Sequence, residues 1–245
     1  MRTNTASRRH LLQAALACAL AAAAPWATAQ STPQAGAQGG AQAVGSGPSL
    51  DLLVRHTSVS LGADGVKRTA EFSERVHRRP QMVWIERVMP PHAHSDEEHA
   101  KGHKAHKHLD VAAAARWVTR DERGEPRLRL VSAEDKVVID IARTDYGNVG
   151  FDGSWPAAWH LIDPAVLQQL KAAAPVGDTT TYTRQEANNR LTVVWNHKLM
   201  VPVSVESSGP QGSRKTVVQA IPAPATPPWT RLDGYGKKDY SDYLD

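Results

Sequence analysis

Residues 91–108 carry His92, His94, His99, His103, His106 and His108, six of the chain's eleven histidines. Neutral imidazole is the commonest protein ligand for zinc, copper and nickel. A stretch this polar does not enter a core, so it is a solvated loop, a metal site or a pH-responsive surface. Ser95 to Glu98 has the spacing of a capping box, with Ser95 as N-cap and Glu98 reaching back. A helix starting there sets His99, His103 and His106 on one face, with Asp110 below them. Histidine with carboxylate suits Zn(II), Ni(II) or Cu(II). Lys101, Lys104 and Lys107 repel a cation, and Gly102 costs such a helix about 1 kcal/mol relative to alanine. The expectation is a weakly bound divalent ion on His92, His94, His99, His103, His106, His108 and Asp110. A polar insertion between two strands, without a dedicated task, fits the same residues.

Other chemistry is thinly signalled. There is no His-Glu-x-x-His pair, no Gly-x-Ser-x-Gly nucleophile, no phosphate-binding glycine loop and no dinucleotide fingerprint. The reading is therefore non-enzymatic. His56, His77 and His197 fall in strands or turns and read as structural, and His160 as a packed or capping residue. Trp84, Trp117, Trp155, Trp159 and Trp195 are many for a chain with two phenylalanines. They form either a tryptophan-rich core or the lining of a cavity for an apolar ligand.

The elements that must hold these residues begin with an export signal. Arg8-Arg9 precedes an uncharged Ala/Leu-rich run, and Ala27-Thr28-Ala29 offers a small-x-small cleavage site. Residues 1–29 thus read as a twin-arginine signal cleaved after Ala29, delivering the protein to the periplasm. Cys18, the only cysteine, falls inside that signal, so neither a lipid anchor nor a disulfide is expected. Three of the 29 basic residues leave with the signal and none of the 25 acidic ones. The remainder is close to neutral, which argues against a nucleic-acid partner.

Residues 30–48 are Gln/Ala/Gly/Ser-rich and read as a disordered linker. Residues 49–221 read as one β-rich domain with a histidine-rich insertion at 90–110. Strands are expected at 57–61, 66–77, 81–88, 115–119, 127–131 and 136–141. A meander follows at 179–185, 190–196, 201–206 and 214–221. Asp64-Gly65 supplies a hairpin turn. Residues 145–160 look irregular. One helix is expected at 163–174, capped by Asp163 with Pro164 in its first turn. Residues 222–245 read as a proline-rich tether and a tyrosine-rich tail that docks on the domain or offers its aromatics to a partner.

Leu191 to Trp195, a short turn, Val201 to Glu206 and Lys215 to Val218 resemble the closing strands of the LolA/RseB-like periplasmic proteins. The resemblance implies a mainly β (α+β) fold: an incomplete antiparallel β-barrel or curved sheet, with one or two helices on the concave face. It implies an exported binding protein, carrier or sensor, sheltering an apolar ligand or an envelope-protein segment. The alternative is a protein that buffers or delivers a divalent metal through its histidines.

Overall fold

Twelve strands hydrogen-bond into one open sheet. The computed structural model describes residues 47–62, 64–89 and 110–243, all within one folded unit. The expected signal at 1–29, nearly all of the linker at 30–48 and the six histidines of 92–108 lie outside the described residues.

The first half of the chain supplies β1 (Leu50–Leu61), β2 (Lys67–Arg79), β3 (Met82–Arg87), β4 (Ala115–Arg120), β5 (Pro126–Ser132) and β6 (Val137–Asp140). A 3-10 turn at Arg143–Val149, the helix α1 (Trp155–His160) and a second 3-10 turn at Pro164–Gln169 follow. Then come β7 (Lys171–Ala172), β8 (Thr179–Glu186), β9 (Asn189–Asn196), β10 (Val201–Gly209), β11 (Gly212–Ala220) and β12 (Gly236–Asp239). The spatial order is β12-β6-β5-β4-β3-β2-β1-β11-β10-β9-β8-β7. Two meanders are thus joined where β1 pairs with β11, with Leu52 opposite Ala220. The segment carrying the histidines connects the neighbouring strands β3 and β4.

Period-two alternation sorts the side chains. Leu52, Val54, Val76, Val83, Val118, Leu128, Leu130 and Ile139 point to one face and are buried there. They form a single cluster with Tyr146, Trp155 and Trp159 of the helical stretch and Val201 of β10. Eight neighbouring strands contribute, from β6 to β10. Laid flat at roughly 4.8 Å per step they would span about 34 Å, too far for one short helix and turn to bridge. The sheet is therefore curved, with α1 on its concave side. Ser154 caps α1 by accepting from Ala157 N at 3.1 Å. Gly212, at φ +144, lets β11 start hard against β1: a Cβ there would clash with Val59 O.

Two sequence expectations are corrected. The helix expected at 163–174 is a 3-10 turn that ends at Gln169. Asp163 does cap it, accepting from Ala165 N at 2.9 Å. Leu167 and Leu170 are three apart, which a 3-10 turn serves as well as an α-helix. Lys171 and Ala172 then gain strand partners in Thr183 and Tyr182, satisfying backbone that a longer helix would have used. The stretch expected to be irregular at 145–160 contains α1.

The tail docks. It crosses the convex face, seating Trp229 against His77 (centroids 5.8 Å apart) and Trp84 (6.5 Å). Beyond it, β12 pairs in parallel with the edge strand β6, and Tyr240 and Tyr243 pack against the main core. A parallel pair needs a long connection, and here it is the whole chain from 141 to 235, whose last stretch, Ile221 to Tyr235, carries the chain from β11 back to β6.

Candidate ligand cavity

The concave face holds two hollows. The smaller, about 370 Å³, lies between the segment 150–162 and strands β4, β3, β2, β1, β11 and β10. Val54, Val76, Ile85, Val118, Phe151 and Leu161 give it apolar walls. The larger, about 570 Å³, lies between the 3-10 turn at Pro164–Gln169 and strands β8 and β9, with Tyr182, Trp195, His160, His197 and Met200 around it.

One polar cluster stands in the smaller wall. Glu74 accepts from Arg116 Nη2 at 2.6 Å and from His56 Nε2 at 3.2 Å. The other ring nitrogen of His56, Nδ1, is 3.1 Å from the Thr216 hydroxyl. His56 also stacks on Phe72 at 4.6 Å. Burial pushes the Glu74 pKa up, but the His56 hydrogen bond and the Arg116 charge outweigh it and hold the carboxyl below its ordinary value. In the larger hollow, His160 donates from Nδ1 to Met200 O at 2.8 Å. Burial there lowers its pKa below 6.5, so it is neutral at physiological pH.

Arg78 lines neither hollow but braces the concave face beside them. It is 0% exposed, and burial lowers its pKa to about 10. Its guanidinium donates to Pro48 O at 3.1 and 3.0 Å, Trp159 O at 3.3 Å, Met200 O at 3.3 Å and Leu199 O at 2.6 Å. It also lies 3.8 Å from the Trp159 ring centroid. One cation thus ties the chain before β1, the end of α1 and the β9–β10 turn to β2. On the convex face, His77 donates from Nδ1 to Asp51 at 2.6 Å, and Arg79 donates to the same carboxylate at 3.0 Å. Arg79 also lies 5.2 Å from the Trp229 ring centroid.

The sequence-predicted residues divide by place. Asp110 is exposed and accepts from Ala112 N at 2.9 Å and Ala113 N at 3.1 Å, capping a turn at the root of β4. No group of three or more His, Cys, Asp or Glu among the described residues is placed to hold a metal ion. Of the tryptophans, Trp195 walls the larger hollow. Trp155 and Trp159 are buried in the main core. Trp84 and Trp117 sit on the convex face under the tail, 6.1 Å apart, and are not brought together with the other three.

Solved structures that this chain matches include a LolA superfamily protein. That protein, from Nitrosomonas europaea, is 9% identical, with 74% of this chain and 89% of the other covered and a TM-score of 0.29. A DUF1329 family protein from Desulfovibrio piger is 10% identical, covering 70% of this chain and 84% of the other, at a TM-score of 0.31. PNGF-II is 8% identical over 80% of this chain, at a TM-score of 0.35, and the chain spans 32% of its length. No family model and no curated protein matches the sequence. No helix among the described residues is long and apolar enough to cross a membrane.

Glu74, Arg116 and Arg78 are not marked by any sequence motif, and His56 reads from sequence as structural. A signal existed for two of them. Glu74 and Arg78 share parity with Phe72 and Val76 on β2, so alternation puts two charges on the apolar face.

Proposed function

We propose that this chain is a periplasmic binding protein, a carrier or sensor without catalytic activity, that shelters an apolar ligand or a partner's apolar segment against its concave face. The observation that carries this reading is the pair of apolar-walled hollows between the curved sheet and the segment 150–170, of about 370 and 570 Å³. Such volumes suit small-molecule ligands, whose sites are mostly apolar with a few placed polar groups. Glu74, Arg116, His56 and Thr216 are bonded to one another, an arrangement that suits orienting a ligand better than turning one over. The expected route of export is the twin-arginine signal at 1–29.

The test is titration of the mature protein with the neutral dye N-phenyl-1-naphthylamine. Saturable enhancement of its fluorescence is expected. Ala158→Trp, which fills the smaller hollow from α1, is expected to weaken it. An absence of saturable binding, or undiminished binding in a folded Ala158→Trp protein, would overturn the proposal.

A further inference from the structure

The concave face changes character along its strands. On β1, His56 is followed two residues on by Ser58; on β10, Val205 by Ser207; on β11, Thr216 is preceded by Arg214. In each pair the first-named residue walls the smaller hollow and the second lines a polar saucer of about 870 Å³ at the hairpin end of the sheet. On β8, Tyr182 walls the larger hollow and Arg184 lines the saucer. Residues two apart on a strand face the same side about 7 Å apart. The saucer therefore adjoins both hollows on the same face of the sheet.

The saucer is basic and rich in donors. Arg184 and Arg214 share the concave face with one acid, Glu186, and with Ser58, Ser60 and Ser207, while Arg190, Ser208 and Ser213 reach the rim from the other face. Arg184 is 3.4 Å from Glu186. Among the described residues, Arg190 and Arg214 make no ion pair, and both are exposed. Guanidinium forks with hydroxyl donors match phosphate and carboxylate oxygens. We propose that the ligand is an anionic amphiphile, with its acyl chain in the apolar hollows and its phosphate or carboxylate headgroup on the Arg184–Arg214 saucer. This rests on the carrier reading above and names its ligand class.

The experiment uses the mature protein and two lysolipids with one acyl chain in common, lysophosphatidylglycerol (anionic) and lysophosphatidylcholine (zwitterionic). Each displaces N-phenyl-1-naphthylamine, with glycerol 3-phosphate as the free headgroup. A preference of roughly tenfold for the anionic lipid is expected, shrinking as salt is raised. The double variant Arg184→Gln/Arg214→Gln should bind the two lipids alike, and Arg184→Lys/Arg214→Lys should keep part of the preference. Lysolipids bound alike by the native protein would overturn the headgroup assignment and leave the carrier reading standing. Binding of glycerol 3-phosphate as tight as that of the anionic lipid would also overturn it, marking a free-phosphate site. Binding of neither lipid would overturn both.

Discussion

Replacing Arg78 with alanine should cost about 4 kcal/mol of folding stability. The fall of its pKa from 12.5 to about 10 sets the cost of burying the charge at about 3 kcal/mol. Truncation recovers that amount but leaves three buried carbonyls, those of Pro48, Trp159 and Leu199, without this donor, at about 1–3 kcal/mol each or roughly 6 in all. It also removes a desolvated stacking contact with Trp159 of about 2 kcal/mol. The carbonyls of Pro48, Trp159 and Leu199 lose this donor, while Met200 O keeps His160. The total is discounted because water enters the space left behind. Such a loss is a large share of the roughly 5–15 kcal/mol that holds a domain together. In urea, with a slope of about 2 kcal/mol per molar, the midpoint should fall by about 2 M. Arg78→Met should also destabilise, because it leaves the same carbonyls bare. Arg78→Lys should rescue only part, since an ammonium lacks the planar fork. A midpoint lowered by less than about 0.5 M in Arg78→Ala, or full rescue by lysine, would refute the assignment of Arg78 as the tie between β2, α1 and the β9–β10 turn.

Other outcomes follow from the same geometry. Trp229→Ala should cost about 3 kcal/mol and increase dye binding to the uncovered Trp84 and Trp117, read by thermal melts and fluorescence. Glu74 has a folded pKa below its unfolded value of about 4.5, so its contribution is present above pH 4.5 and lost as pH falls through the folded pKa. Glu74→Gln should flatten the acid limb of the stability curve in that window. His160 is held neutral below its unfolded pKa of 6.5, so the unfolded chain takes up the proton first and stability falls on acidification below pH 6.5. His160→Gln should remove that slope. Zn(II) calorimetry on the mature protein should show binding at micromolar or weaker affinity that disappears on deletion of 92–108. Equal heats from both proteins would end the metal reading.

The strands were legible because their physics is local. Alternation over 66–77 and 190–196 marks β2 and β9 from sequence alone, and Asp64-Gly65 and the Gly209–Gly212 turn mark the β1–β2 and β10–β11 hairpins. The site was less so. Glu74, Arg116 and His56 lie on three different strands and meet only through pairings such as His56 opposite Phe72 and Ile85 opposite Arg116. Arg78 reads in sequence as an exposed charge at a strand end, because its carbonyl partners come from residues 48, 159, 199 and 200. The tryptophans were conspicuous, but composition does not say which face of a strand each occupies. Trp84 and Trp117 prove to anchor the tail, whereas Trp195 meets a hollow. The short helix α1 was hidden because Trp155-Pro156 and the glycines before it read as breakers, when Ser154 and the proline in fact start the helix.

A molecule sheltered on the concave face would travel with the protein through purification. Native mass spectrometry of the mature protein, purified from its own envelope without detergent, tests it most directly. The expected result is a stoichiometric adduct that solvent extraction removes and that is absent or depleted in Ala158→Trp. A bare polypeptide mass in both proteins would contradict it.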